Sequence, residues 1–310
     1  MAKKFQIALV TGGAGFIGSH IVDALIRRHM KVYVVDDFST GQKANVNPNA
    51  HVTRLSILNP QFVPLLQKIK PDVVFHLAAQ INLRDSLQDP LNDAKTNILG
   101  TLTLIQECAK LGVKKVVYSS TGGPMYSEHA KMPWSEKMDP QPISPYGISK
   151  RSAEMYFHYA FEVYGMPYVA LRYANVYGPR QNAKGEAGVI SIFADHFMKG
   201  NPMIIHGTGK QTRDFVFVED VVRANMSAMD RSAVGVFNIG TGKQTSINTI
   251  FRKLKKITQS SLPERHDAPV VGEVMHSSLS SQKALIHLGW RPRVKLDQGL
   301  EKTVAWMRKC

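Results

Sequence analysis

The stretch "TGGAGFIGSH", Thr11 to His20, follows the apolar run Ile7 to Val10 and leads into an amphipathic segment that reaches about Arg28. Gly12, Gly15 and Gly18 stand three residues apart at this predicted strand-to-helix junction. The first glycine permits a tight turn, the next lets backbone N–H groups approach an anion, and the last lets the helix pack close to the strand. A helix N-terminus also carries unpaired amides and the positive end of its dipole, so a phosphate is the ligand that such a turn suits. A chain that opens in this way needs further parallel strands to bury the first one.

The required strands follow. Short apolar runs at Lys31–Val35, His51–Arg54, "VVFHLAA" (73–79) and "KKVVYSS" (114–120) alternate with helical patterns near 61–69 and 90–111. Further strands are expected at Tyr168–Arg172 and Val236–Ile239. Strands separated by helices pair in parallel through right-handed crossovers, which predicts an α/β fold with a Rossmann-like doubly wound sheet. After residue 180 the alternation weakens, so residues 1–180, with 233–247 returning to them, are expected to form a dinucleotide-binding domain, and 181–232 with 248–310 a smaller α/β substrate-binding lobe. The turn-rich stretches 39–50, 129–145 and 177–188 are expected as loops at the ligand edge of the sheet.

Composition narrows the partners. In 310 residues there is no apolar run of 18 or more, and the start "MAKKFQIALV" lacks the features of a signal peptide, so a cytoplasmic protein with no membrane partner is expected. Cys108 and Cys310 lack metal-ligand spacing and read as free thiols, with no metal site. The net charge of +15 is spread out: residues 1–70 carry 9 Lys/Arg against 3 acids, 71–200 carry 13 against 12, and 251–310 carry 12 against 5. A diffuse excess favours small anionic substrates and predicts no specific nucleic-acid partner.

The next strand ends in "YVVDDFSTG", which places Asp36 about 20 residues beyond the glycines. A carboxylate there accepts both hydroxyls of a ribose and repels a 2′-phosphate, so the expected cofactor is NAD and not NADP. Asp37 is the neighbouring candidate, solvated or near the adenine. Ala78 and Ala79 in "HLAAQ" are small where backbone must pass beside a flat ligand, His76 reads as a hydrogen-bonded core histidine, and Asn97 as a residue that fixes a loop. "YGISK" sets Tyr146 and Lys150 one helical turn apart on one face. Thr121, in "YSST", ends a predicted strand whose hydroxyls reach the same edge. Removing a proton from a sugar hydroxyl near neutral pH requires a phenol whose pKa is lowered by cations, which Lys150 supplies.

These motifs, followed by "LRYANVYGPR", "QTRDFVFVEDV", "NIGTG" and "GEV", stand in the order seen in extended short-chain dehydrogenase/reductases, and the chain resembles the nucleotide-sugar epimerases among them. The resemblance covers nearly the whole chain. It implies that Gly12, Gly15, Phe16, Ile17 and Gly18 form the pyrophosphate turn, and that Asp36 with Asp37, Ser39, Thr40 and Gly41 surrounds the adenosine. Ile57, Leu77, Ala78, Ala79, Gln80, Asn97, Ser119 and Tyr173 are implied as the remaining cofactor contacts. Tyr146 is implied as the base, Lys150 as the holder of the nicotinamide ribose and Thr121 as the partner of the reacting hydroxyl. Asn175, Val189, His206, Arg213 and Glu273 fall on the substrate side, with Arg213 clamping a diphosphate; the competing reading of Arg213 is a salt bridge to Asp214 or Glu219. The implied activity is 4-epimerisation through a 4-keto sugar in a homodimer built on the helices near 90–111 and 145–164. UDP-glucose and UDP-galactose are the implied substrates, N-acetylated sugars being admitted by the small Ser277, while dTDP, GDP and CDP sugars stay open.

Three positions depart from the family pattern. Ser56 stands where an adenine-binding aspartate is usual, Val270 or Val271 where a second diphosphate arginine is usual, and His206 where an aromatic ring faces the base. Two other activities compete. A 4,6-dehydratase or decarboxylase needs an acid beside Thr121, where Gly122 and Gly123 stand; a non-catalytic NAD-binding sensor would have no use for Thr121, Tyr146 and Lys150 together.

Overall fold

The computed structural model describes residues 5–183, 188–269 and 274–309. The first half runs β1 (Ile7–Thr11), α1 (Phe16–Arg27), β2 (Lys31–Asp36), β3 (His51–Arg54), α2 (Phe62–Ile69), β4 (Val73–His76), α3 (Leu83–Gln88), α4 (Pro90–Ala94), a π-helical segment (Lys95–Gly100), α5 (Thr101–Lys110), β5 (Lys115–Thr121), α6 (Pro145–Tyr164) and β6 (Tyr168–Tyr173). The second half contributes β7 (Asn175–Tyr177), α7 (Val189–Lys199), β8 (Ile205–His206), β9 (Thr212–Arg213), β10 (Phe215–Phe217), α8 (Val218–Asp230), β11 (Gly235–Ile239), β12 (Thr245–Ser246), α9 (Ile247–Thr258), β13 (His266–Asp267), α10 (Gln282–Leu288) and α11 (Leu296–Met307).

Seven strands form one parallel sheet in the order β11-β6-β5-β4-β1-β2-β3. The order reverses between β1 and β4, and in an open parallel sheet the crevice beyond that reversal is where a ligand binds. Alternate residues face opposite sides: Ala8 and Val10 enter one core with Val73, Phe75, Val169 and Leu171, while Leu9 enters the other with Val74, Tyr168 and Ala170. The expected doubly wound fold is present. Two details differ. β4 stops at His76, so Leu77, Ala78 and Ala79 lie beyond the ladder, and the helix expected near 90–111 widens to π form over Lys95–Gly100.

The second half makes three pairs of short strands, β7 with β10, β8 with β13 and β9 with β12. Their core is aromatic, with Phe193, Phe197, Phe215 and Phe251 buried between α7, α9 and α11. α8 and α10 fall in stretches expected in the smaller lobe, yet Val221, Ala224, Ala284 and Leu288 join the core that covers the β1 side of the sheet. Their apolar faces match the sheet, and burial follows surface and not chain order.

Candidate active site

The glycine turn is shaped by what would collide with it. Gly12 has φ +71, and a Cβ there would lie 2.7 Å from the Ala78 nitrogen; one on Gly18 would lie 2.1 Å from the Gly12 carbonyl oxygen. Gly13 is equally constrained, because its Cβ would meet Val34 at 2.8 Å. Gly15 is the N-cap of α1, which starts at Phe16 and is pressed against the glycine turn after β1. Phe16 is buried among the aromatic residues of the second lobe, and Ile17 packs at the boundary of both cores.

Asp36 ends β2 and is buried. Its Oδ2 accepts the Ala14 N–H at 2.8 Å and its Oδ1 the Phe38 N–H at 2.8 Å, which leaves further lone pairs on both oxygens. Burial pushes its pKa up against those two bonds. A Cβ on Gly41 would lie 2.8 Å from Asp36 Oδ1, so only glycine keeps that oxygen clear. Asp37 is exposed and accepts from Ser39 at 2.9 and 2.7 Å; Thr40 is exposed beside it. Ile57 is buried under Gly100, and Ser56 Oγ accepts the Leu58 N–H. These features form a cradle of backbone, glycine and one carboxylate that fits a dinucleotide, with the N-terminus of α1 for its diphosphate.

The segment after β4 is held from two sides. Asn97 Oδ1 accepts the Gln80 N–H at 2.9 Å while its Nδ2 donates to Gln80 O at 2.9 Å, to Asp93 Oδ2 at 3.1 Å and to Ser149 Oγ at 3.3 Å. The π segment aims Asn97 at this loop, a use that such helical widenings often have. His76 is fully buried between Thr11 Oγ1 (2.7 Å) and Thr101 Oγ1 (2.9 Å), and burial drives its pKa to about 3, so the ring is neutral. Thr11 Oγ1 also accepts the Ala78 N–H at 3.3 Å.

α6 carries the Tyr-Lys pair. Ser144 caps it by accepting the Gly147 N–H at 3.2 Å, Pro145 occupies its first turn, and Gly165 ends it at φ +64. Tyr146 thus lies at the mouth, half-buried, and Lys150 one turn deeper, buried. Lys150 Nζ donates to Ser119 O at 3.0 Å and sits between two rings, 5.0 Å from the centroid of Tyr118 and 5.8 Å from that of Tyr146. Burial lowers Lys150 to about 8, opposed by the carboxylates of Asp93 and Glu154. It is therefore largely an ammonium at neutral pH, with the Tyr146 ring beside it. Thr121 ends β5 two residues beyond Ser119, half-buried. Tyr173 lies opposite it in β6, buried, its hydroxyl bound to Asn225 and to the Ser119 side chain; burial raises its pKa against those bonds.

On the other side of the crevice Asn175 is exposed, its N–H bound to Asp214 O at 2.9 Å, and Arg213 follows Thr212 in β9, with Nη1 donating to Thr212 O at 2.9 Å. The Ser277 N–H donates to Thr212 O at 3.2 Å, which gathers Asn175, Arg213 and Ser277 around Asp214. Asp214 itself accepts from Thr241, Gly242 and Leu279, and Glu219 pairs with Lys302. Val189 opens α7, and His206 is exposed in β8, its carbonyl oxygen accepting Gln211 Nε2 at 2.9 Å just ahead of β9. Glu273, and Val270 and Val271, lie outside the described residues.

Sequence reasoning named Asp214 only as a possible ion-pair partner of Arg213 and missed that it is a buried acceptor for Thr241, Gly242 and Leu279; it missed Glu154, four residues after Lys150, which pairs with Arg172 at 2.6 Å. Among the described residues no group of three or more His, Cys, Asp or Glu is placed to hold a metal ion, and no helix is long and apolar enough to cross a membrane.

Comparison with known proteins agrees with this geometry. The UDP-glucose 4-epimerase of Mycolicibacterium smegmatis is 39% identical over 97% of this chain and 98% of its own length. The crystal structure of UDP-glucose 4-epimerase with UDP-glucose from Thermotoga maritima superposes with a TM-score of 0.96 at 47% identity, covering 98% of this chain and 99% of that one. A UDP-N-acetylglucosamine 4-epimerase from Methanobrevibacter ruminantium, in complex with UDP-N-acetylmuramic acid, gives a TM-score of 0.93 at 34% identity, again over 98% and 99%. Residues 8–240 match the NAD dependent epimerase/dehydratase family, and to that family the chain belongs.

Proposed function

We propose that the protein is an NAD-dependent nucleotide-sugar 4-epimerase that interconverts UDP-glucose and UDP-galactose and accepts N-acetylated sugars. The observation that carries this reading is Lys150, buried on the Ser119 carbonyl and set one turn below Tyr146, at the strand edge that the glycine turn also faces. When bound, NAD supplies the acceptor and later the donor of one hydride at C4 of the sugar. Gly12, Gly15 and Gly18 leave room for its diphosphate, Asp36 takes the adenosine ribose, and Leu77, Ala78 and Ala79 form the wall held in place by Asn97. Tyr146 removes the proton of the 4-hydroxyl and returns it to the same oxygen, O4, once the 4-keto sugar has turned its other face to the site. Lys150 keeps that phenol acidic and holds the nicotinamide ribose, and Thr121 steadies the reacting oxygen by a hydrogen bond.

Arg213 and Asn175 hold the diphosphate while the 4-keto sugar turns, so the substrate is retained between the two half-reactions. Ser277 is a small residue on the segment that faces the sugar and leaves space for an N-acetyl group. Gly122 and Gly123 follow Thr121 with no acid to drive loss of water, which favours epimerisation over dehydration. The two-lobe division follows the reading at residue 180, with α8 and α10 counted with the sheet. A homodimer is supported by an exposed apolar stripe on α6, Ile148, Met155, Tyr159 and Val163, next to exposed Leu91 and Leu99.

Incubation with UDP-glucose, UDP-N-acetylglucosamine and added NAD, followed by NMR of the products, tests the proposal. The 4-epimer is expected, and Tyr146→Phe should lower kcat by about 10²–10⁴-fold with the fold intact. Product formed equally by that variant, or no epimer from any nucleotide sugar, would overturn it.

A further inference from the structure

Beneath the Tyr146–Lys150 helix lies a polar network of which the chemistry above uses only the charge of Glu154. Glu154, on α6, receives Arg172 of β6 through two bonds, Nε at 2.8 Å and Nη2 at 2.6 Å, and Ser120 Oγ of β5 at 2.7 Å. Arg151 approaches the same carboxylate at 3.4 Å from the solvent side. Arg172 Nη1 donates to Tyr126 Oη at 2.6 Å, and Tyr126 Oη donates to Asn238 Oδ1 at 2.9 Å. Asn238 Nδ2 donates to Trp134 O at 3.0 Å, and the Trp134 N–H donates to Ser278 O at 2.9 Å. Glu154, Arg172, Tyr126, Asn238, Trp134 and Ser278 are all buried.

The direction of this chain is forced. A guanidinium has only donors, so Tyr126 must accept from Arg172 and has one proton left, which goes to Asn238 Oδ1. The Asn238 amide must then turn its nitrogen to a carbonyl, and Trp134 provides it. The series starts one turn below Lys150, passes Ser120 between Ser119 and Thr121, and ends beside Ser277. It crosses from the sheet to the 274–281 segment through buried groups, each of which has no water to replace a lost partner.

We propose that Tyr126 is a positioning residue, whose hydroxyl joins the Glu154–Arg172 pair to Asn238 and so keeps the reacting edge of Ser119, Thr121, Tyr146 and Lys150 in register with the sugar-facing segment around Ser277. The proposal rests on the epimerase reading for its kinetic part and on geometry alone for its structural part. In either half-reaction the turned sugar must present C4 to the same fixed groups, so a looser join between the two walls reduces turnover more than ground-state binding.

Tyr126→Phe is the test, because the ring stays against Trp134 (centroids 5.6 Å apart) and under Arg172 (5.2 Å) while the hydroxyl goes. With UDP-glucose as the probe, kcat is expected to fall about tenfold or more with KM changed less than about threefold. Amide hydrogen exchange should accelerate at residues 276–280 and stay unchanged in β1 and β4. A cycle with Asn238→Ala should be non-additive in kcat, since both variants remove the same Tyr126–Asn238 hydrogen bond. Wild-type kcat in the variant, additive effects, or unchanged exchange at 276–280 would each overturn the proposal. Failure of the wild-type protein to epimerise any nucleotide sugar would instead remove the epimerase reading, and the exchange measurement would still decide whether the two walls are joined through Tyr126.

Discussion

The two sides of the crevice are built by different means. On the dinucleotide side the surface is backbone: three glycines, two alanines and the start of α1 are so closely packed that an added methyl group meets a main-chain atom at 2.1 Å at Gly18 and 2.7 Å at Gly12. On the side proposed for the nucleotide sugar the surface is side chain, with Asn175 exposed, Arg213 half-buried, and strands of two or three residues supporting them. The first arrangement can hold one ligand shape and tolerates no change. The second can exchange residues one at a time, which is how His206 departs from the family pattern while the glycines, Tyr146 and Lys150 keep it. A rigid cofactor side with an adjustable substrate side is what allows one fold to serve many nucleotide sugars.

The sharpest way to break this contrast is Gly18→Ala. The methyl group has no space and its neighbour is backbone, so roughly 3 kcal/mol of stability should be lost together with NAD binding, as read by thermal melting and NAD titration. A variant that melts and binds as the wild type does would show that the turn is not rigid. Next in size, Arg213→Ala should raise KM for UDP-glucose by about 10–100-fold, equivalent to the ~1.5–3 kcal/mol of a charge-assisted hydrogen bond, with NAD binding unchanged. Loss of NAD binding in that variant would erase the distinction between the two sides.

The smallest effect sharpens the comparison where the sides meet. Lys150 sits at about 8, lowered by burial and raised again by Asp93 and Glu154. Activity should decline as pH rises through about 8, because the Lys150 ammonium beside Tyr146 is lost. Asp93→Asn removes one of the two carboxylates, so that alkaline limb should move to lower pH. The sign for folding is the opposite of that for activity: with its pKa below the unfolded value of 10.5, Lys150 binds fewer protons when folded, and its burial cost shrinks as pH rises from about 8 towards 10.5. A pH–rate profile of Asp93→Asn identical to that of the wild type would place the alkaline limb on another group.

Much of the fold was legible in the chain because period and punctuation are local. The runs at Ile7, Lys31, His51 and Tyr168 became strands within a residue or two of their expected ends, and Pro145 and Gly165 bound a helix whose i, i+4 pair could be read directly. The second half of the chain was harder. Its strands are too short to show alternation, and α8 carries an apolar face that fits either core. Glu154 and Arg172 were invisible as a pair because they are 18 residues apart on different elements, and nothing local to either marks a buried partner. Tyr173 illustrates the converse: its place at a strand end agreed with the expectation, but its side-chain direction sends the hydroxyl to Asn225.

The amino-acid sequence by itself determined the parallel α/β architecture, the glycine turn, the acidic residue at the end of β2 and the Tyr-Lys helix, since each depends on residue types at fixed short spacing. Only the tertiary structure decided which buried charges neutralise one another, that Asp214 gathers Asn175 and Arg213 with the Ser277 segment, and that a tyrosine joins the two walls. A buried polar group must find its partner within about 3 Å, and that distance is set by how whole elements pack and not by any spacing along the chain.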